Sequence, residues 1–293
     1  SRALTLIVND DGAIEGVVVR IDQQEKAVRA RKGVILCAGG FCMNEDMVRK
    51  YAPTFDRGLI PIGNPGDTGS GILMGMGVGA GTTNMHECFV SLPYYPPASL
   101  TYGILVNDKA QRFINEDCYH GRVGYNALIQ QNNSARIYFI TDVEGYGDYE
   151  KMSYLGATVA GTGDSIAELE QELGLPESSL EHTVNTYNKH AETGDDPYFH
   201  KSKAWLRPIA PPYVALDCTL GRGPFYPFFT LGGLDTLPTG EVLSPERKVI
   251  KGLYAAGRTT AGIPRTAAGY ASGMSVGDVT YFGRLAGKTA ALS

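Results

Sequence analysis

The run GLYAAGRTTAGIPRTAAGYASGMSVGD, Gly252 to Asp278, restricts this chain more than any other stretch. Its side chains are mostly a hydrogen or a methyl group, so something must lie very close to the backbone. Arg258, Arg265, Tyr270 and Ser272 interrupt the run and are the residues able to do chemistry there. VILCAGGF (34–41), GLYAAGR (252–258) and ASGMSVGD (271–278) share one design: an apolar strand, small residues, then a helix start. Glycine at such a turn admits a flat or phosphorylated ligand, and the helix N-terminus offers free N–H groups to negative oxygens. Tight strand-to-helix packing uses glycine in the same way, so a single turn does not decide between packing and ligand. Three in one sheet domain favour a large ligand lying along the strand ends.

The rest of the sequence narrows the class. At 293 residues, 43% apolar and 19% charged, the chain has room for one large domain or two ordinary ones around a substantial core. The net charge of −5 is spread without a basic stripe, which argues against nucleic acid as a partner. Apolar runs such as GVILCAGGF fall short of a membrane span. The five cysteines show no CxxC spacing and the five histidines no ligand pattern, so neither a disulfide framework nor a metal is expected. A reducing, cytoplasmic compartment is the expectation.

Along the chain, 3–8 and 15–21 alternate apolar and β-branched residues around Asn9-Asp10-Asp11-Gly12, a hairpin signature. A third strand at 26–30 leads into VILC (34–37), whose continuous apolar character predicts a strand buried on both faces. Asn44 is placed to cap a helix over 45–51. Residues 64–80 read as a glycine-rich turn opening into a helix. From about residue 93 the texture changes to proline pairs, strands near 103–106 and 136–140, and amphipathic helices over 165–174 and 177–191. After the proline-rich 207–213, strand-and-glycine texture returns. The expected organisation is an α/β domain in two parts, 1–92 and 214–293, with a mixed α+β unit inserted at 93–213. Such an insertion leaves a cleft for a ligand.

The motifs VILCAGGF with Asn44, GDTGSGI, QRFINED, the long helical segment SIAELEQELGLPESSLEHTVNTYNKHAETGDDPYF, PFFTLGGL, and GLYAAGR…SGMSVGD…FGRLAG follow one another in the order seen in a flavoprotein family. That family includes fumarate reductase subunits and 3-ketosteroid dehydrogenases, and the chain resembles it over nearly its whole length. The resemblance implies FAD lying across a Rossmann-like domain, its ring facing an inserted cap. It implies Ala38, Gly39 and Gly40 beside the nucleotide end. Thr230, Gly232, Gly233, Gly257 and Arg258 then border the flavin, and Gly273, Met274, Ser275 and Val276 meet its pyrimidine edge. The family opens with a strand, a GxGxxG turn and a helix; no GxGxxG precedes the first matching motif here. The expectation is therefore that the sequence is a fragment or that a second chain supplies that unit, and that these residues alone hold FAD weakly.

Within the family, PRTAAGYASG resembles the 3-ketosteroid Δ4-(5α)-dehydrogenase type, in which a Tyr and a Ser two residues apart act together. The resemblance implies desaturation of a 3-oxosteroid A ring at the 4(5) position, with Tyr270 and Ser272 catalytic and Tyr119, from RFINEDCYHGRVGYN, as a second hydroxyl. A double bond beside a ketone requires a proton to leave the α carbon and a hydride to leave the β carbon. A phenol ionises only near pH ~10 when free, so Tyr270 needs a neighbouring donor or a relay. Backbone N–H groups beside Gly273 suit the developing enolate oxygen. Tyr94, Phe225, Tyr226 and Phe228, with Arg265, are candidates for a flat apolar slot; each ring equally suits ordinary core packing. Two other readings stand beside this one. The first is a reductase of an unsaturated acid in the fumarate or urocanate group, with Arg122 and Arg265 holding a carboxylate. The second is a catalytically dead remnant or a cap-bearing interaction module.

Overall fold

A computed structural model describes residues 1–133 and 135–293. The chain divides into two compact units. The first comprises Ser1–Arg57, Pro61–Phe89 and Phe228–Ser293; the second comprises Gly58–Ile60 and Val90–Pro227.

In the first unit, Arg2–Val8 and Ile14–Ile21 form the expected antiparallel hairpin, and Gln24–Arg29 adds a third strand beyond Ile14–Ile21. The turn is chemically determined: Asn9 Oδ1 accepts from the N–H groups of Asp11 and Ala13, at 3.0 and 2.9 Å. A second sheet carries the glycine-rich stretch. Val34–Leu36 lies parallel to Leu253–Ala255, and Glu241–Leu243 pairs with the same long strand, Val249–Ala255, from the other side, antiparallel. The expectation that VILC is buried on both faces fails, because Ile35 is 38% exposed and Cys37 is exposed. The apolar run reads as a core strand, yet only Leu36 faces the interior fully.

Asn44 caps the helix Glu45–Tyr51, its Oδ1 accepting from Met47 N at 3.1 Å, and the glycine-rich turn at 64–69 opens into the helix Ser70–Gly77. The last helix, Met274–Leu292, begins at Gly273, whose φ of +87° is left-handed. No strand precedes it, so ASGMSVGD departs from the strand–turn–helix design expected of it: 261–272 runs as turns and loop.

Gly252 explains part of the glycine bias. Its φ is +75°, and a Cβ there would collide with the carbonyl oxygen of Ile14. Gly252→Ala combines a left-handed backbone with that overlap, and we expect it to lower stability by about 2 kcal/mol or more. Urea unfolding of the two proteins side by side measures it, and an unchanged midpoint contradicts it.

The second unit is built on an antiparallel four-stranded sheet in the order Val159–Gly163, Tyr213–Asp217, Ile137–Asp142, Ile104–Asn107. The helices Ile166–Leu173 and Ser179–Thr193 pack onto it through Leu169, Leu180, Val184 and Tyr187, against Ile104, Val106 and Ile140. Ser165 and Glu168 close a reciprocal capping box at the first of these helices. The expected boundary at 213/214 moves to 227/228, because Tyr213–Asp217 is hydrogen-bonded into this sheet beside Ile137–Asp142. Proline-rich 207–213 is a connection within the unit and not its edge. Where the unit begins and ends, Ser91 N donates to Pro227 O at 3.0 Å, so its two ends lie side by side.

Candidate functional site

The site in the first unit is an open cleft of about 550 Å³ lined by Cys37, Gly39, Phe229, the segment Ala256–Arg258, Tyr270 and the helix positions Ser275, Val276, Val279 and Gly283. Two strand ends and one helix start therefore converge, as the repeated glycine turns suggested. Three glycines on the helix side of this unit face open space: a Cβ added at Gly273, Gly277 or Gly283 would meet no atom within 4 Å. The first turn of Met274–Leu292 has no side-chain cap, so its leading N–H groups lack partners within the helix. Bare backbone, apolar walls at Val276, Val279 and Phe229, and an uncapped helix start suit a flat, partly anionic cofactor.

The other glycines expected at a cofactor abut protein atoms in the direction a Cβ would take. A Cβ on Gly40 would strike Thr230 Oγ1, one on Gly232 the backbone of Asn84 and Met85, and one on Gly233 the carbonyl of Thr259. Thr230 is buried, and its hydroxyl accepts from Phe41 N at 3.1 Å. Ala38 lies against Gly71, where a Cβ would come within 2.9 Å of its methyl. Gly39, Gly257, Arg258, Ser275 and Val276 are the expected cofactor residues that line the cleft; Met274 and Gly273 stand at the start of the helix that forms its wall.

Arg258 is held in place. Its Nη2 donates to Asp67 Oδ2 at 2.9 Å, and its guanidinium lies 5.0 Å from the centroid of the Phe229 ring. Asp67, 5% exposed, also accepts from Asn64 N, tying the turn before Ser70–Gly77 to the arginine.

Tyr270 forms part of the cleft wall. Its ring packs 4.6 Å from that of Phe89 and 5.4 Å from that of Phe229, and its hydroxyl donates to Ser275 Oγ at 3.1 Å. Ser272 is exposed and does not line the cleft. The loop carrying Tyr270 is fastened by two carboxylates that the sequence reading did not single out. Ala267 N donates to Glu87 Oε2 at 3.1 Å, and Ile263 N donates to Asp278 Oδ1 at 2.8 Å. Glu87 lies 180 positions from its partner in sequence, a pairing that no local pattern announces. Arg265 is exposed and lines a smaller cavity of about 120 Å³ with Asp278 and Phe282; its carbonyl accepts from Asn84 Nδ2 at 3.4 Å.

In the second unit Tyr119 precedes the helix His120–Gln130, its ring 4.4 Å from that of His120. Burial lowers the His120 pKa, which favours the neutral imidazole. Arg122 is exposed on the first turn of that helix. Tyr94 and Tyr226 are core residues, 0% and 1% exposed. The Tyr226 hydroxyl donates to Cys218 O at 2.7 Å. The Tyr94 ring packs on those of Tyr95 and Phe139. Phe225 is half-buried, its N–H bonded to Leu155 O. Phe228, in the first unit, stacks on Phe55.

QRFINED supplies a buried ion network. Arg112 donates to both oxygens of Glu116, at 3.2 and 2.9 Å, and to both of Asp196, at 3.2 and 3.0 Å. Lys201 Nζ lies 3.3 Å from Glu116 and donates to Gly103 O at 2.7 Å. Burial lowers the Lys201 pKa against the pull of Glu116. For Asp196, burial pushes upward and Arg112 pulls down, with a net fall. This motif locks a fold.

A family model described as FAD binding domain matches residues 1–274. A solved structure of 3-ketosteroid-Δ4-(5α)-dehydrogenase from Rhodococcus jostii RHA1, in complex with 4-androstene-3,17-dione, is 39% identical with a TM-score of 0.90, covering 99% of this chain and 59% of that one. A probable fumarate reductase of Shewanella frigidimarina is 30% identical, covering 99% of this chain and 49% of its own length. A 3-oxosteroid 1-dehydrogenase of Mycolicibacterium smegmatis is 29% identical, covering 89% and 53%. The chain thus spans about half the length of the curated relatives it matches.

Proposed function

The chain belongs to the FAD binding domain family of flavoproteins, and from that premise we propose that it serves FAD-dependent desaturation of a 3-oxosteroid A ring at the 4(5) position. The observation that carries this reading is the likeness, at 39% identity and over 99% of the chain, to a dehydrogenase of that class. The cleft is compatible with it. Gly39, Gly257 and Arg258 on the strand side, with Ser275 and Val276 on the helix side, are the residues that would hold the cofactor. A bound FAD would supply the acceptor for the hydride that leaves the β carbon. Tyr270 takes the proton from the α carbon, a hydroxyl held in the cleft wall by Phe89, Phe229 and Ser275. N–H groups at the start of the last helix stabilise charge gathering on the substrate oxygen.

The relatives named as fumarate reductases favour a second reading, reduction of an unsaturated acid. That chemistry needs cations gathered on a carboxylate. In the first unit Arg258 is engaged by Asp67, and Arg265 lies on the smaller cavity.

One assay separates the readings. The flavin-loaded protein is offered 4,5-dihydro-3-oxosteroid with an artificial electron acceptor, and fumarate or urocanate with a reduced dye. Turnover of the steroid alone, with the product double bond at 4(5), is the expected result. Turnover of the acid alone overturns the proposal.

A further inference from the structure

Resting on the reading that Tyr270 takes the proton, the segment 84–89 acquires a part in the reaction. It touches the Tyr270 loop at three points. Asn84 Nδ2 donates to Arg265 O at 3.4 Å, Glu87 Oε2 accepts from Ala267 N at 3.1 Å, and the Phe89 ring packs 4.6 Å from that of Tyr270. Side chains two apart on extended backbone point to one face, and Phe89 lies in the strand Cys88–Val90 with Glu87 directly before it. The carboxylate and the ring thus meet the loop from the same side.

Both are anchored from behind. Glu87 O accepts from Leu231 N at 2.9 Å, and Phe89 stacks 4.7 Å from Phe229, whose own ring meets Tyr270 edge-on. The grip of Glu87 reaches the phenol through one short turn. Ala267, 1% exposed, gives its N–H to Glu87, and its carbonyl accepts from Tyr270 N at 3.3 Å. Ser272 follows two positions later in the same loop. Packing on Phe89 fixes the surface on which the Tyr270 ring rests, but apolar contact has no direction and lets the ring slide along it. The directional bonds of the turn decide where along that surface the ring stops.

We propose that Glu87 is a positioning residue for the reaction: by holding Ala267 N it sets the reach of the Tyr270 hydroxyl to the α carbon of the substrate. The carboxylate takes no proton and touches no substrate; it acts through the turn. The effect is large because a misplacement of about 1 Å at a reacting atom costs on the order of 10²-fold in rate.

Glu87→Ala is expected to lower kcat for the 3-oxosteroid by about 10- to 100-fold, with KM and flavin content within about two-fold of the unmodified protein. Glu87→Gln keeps an acceptor oxygen in reach of Ala267 N and is expected to bring kcat back to within about three-fold. Because Glu87 acts only through the phenol, Glu87→Ala added to Tyr270→Phe is expected to lower kcat no further. A second measurement needs neither flavin nor steroid: amide hydrogen exchange of the cofactor-free chain, read by mass spectrometry on peptides covering 265–271. Exchange there is expected to quicken by about ten-fold or more in Glu87→Ala and to stay unchanged in Glu87→Gln. Unchanged kcat or unchanged exchange in Glu87→Ala overturns the proposal. So does an equal loss in Glu87→Gln, which makes charge the cause, and so does a full further loss on top of Tyr270→Phe, which makes the residue merely structural. Absence of steroid turnover in the unmodified, flavin-loaded protein strikes the reaction and this role together, a result distinct from each of the others.

Discussion

Tyr270→Phe is expected to lower 3-oxosteroid turnover by about 10²- to 10⁴-fold while flavin content and KM stay close to those of the unmodified protein. The substitution removes one hydroxyl and keeps the ring that packs 4.6 Å from Phe89 and 5.4 Å from Phe229. The hydroxyl bonds to Ser275 in the wall of an open cleft, so its removal costs about 1 kcal/mol of stability and leaves the backbone around Gly257 and Gly273 untouched. A fall in kcat without a fall in bound flavin therefore reads the chemistry alone. Turnover within about three-fold of normal removes Tyr270 from the reaction.

The largest expected loss of stability lies in the second unit. Glu116 is 0% exposed and faces two cations, Arg112 and Lys201, while its Oε1 also accepts from Leu105 N at 3.0 Å. Glu116→Gln keeps the shape and takes from two buried positive groups the carboxylate that touches both. We expect a loss of about 3–5 kcal/mol. Lys201→Met added to Glu116→Gln removes one of the stranded charges, and part of that loss should return. Trp205, the only tryptophan, sits in this unit 5.4 Å from the Tyr102 ring, so its fluorescence during urea unfolding reports on the unit directly. An unchanged urea midpoint in Glu116→Gln contradicts the account of the network.

What could be read from the sequence was local. Asn9 arranges a turn through its own side chain, and Asn44 caps a helix three residues ahead, so each declares itself in a few letters. The converging glycine turns were legible from their small residues, although only VILCAGGF and GLYAAGR follow a strand and ASGMSVGD follows a loop. What stayed hidden depended on partners far along the chain. Gly40, Gly232 and Gly233 look like Gly273 in sequence, yet the first three make room for protein atoms and the last faces open space. The Tyr-Ala-Ser spacing drew attention to Ser272, whereas the left-handed turn at Gly273, after which Ser275 comes within 3.1 Å of the Tyr270 hydroxyl, has no signature beyond the glycine itself. Likewise Tyr213–Asp217 pairs with Ile137–Asp142 across some seventy residues, so the proline-rich segment before it resembled a boundary. QRFINED was recognisable as a motif, but its partners Asp196 and Lys201 come from beyond the long helix Ser179–Thr193.

The hydrogen bond between Ser91 N and Pro227 O brings the two ends of the long segment Val90–Pro227 of the second unit side by side. A module attached in that way can lengthen, shorten or be exchanged wholesale without rethreading anything outside it. Diversification has an easy route there: a new middle piece grafted between neighbouring chain ends, with the first unit inherited intact.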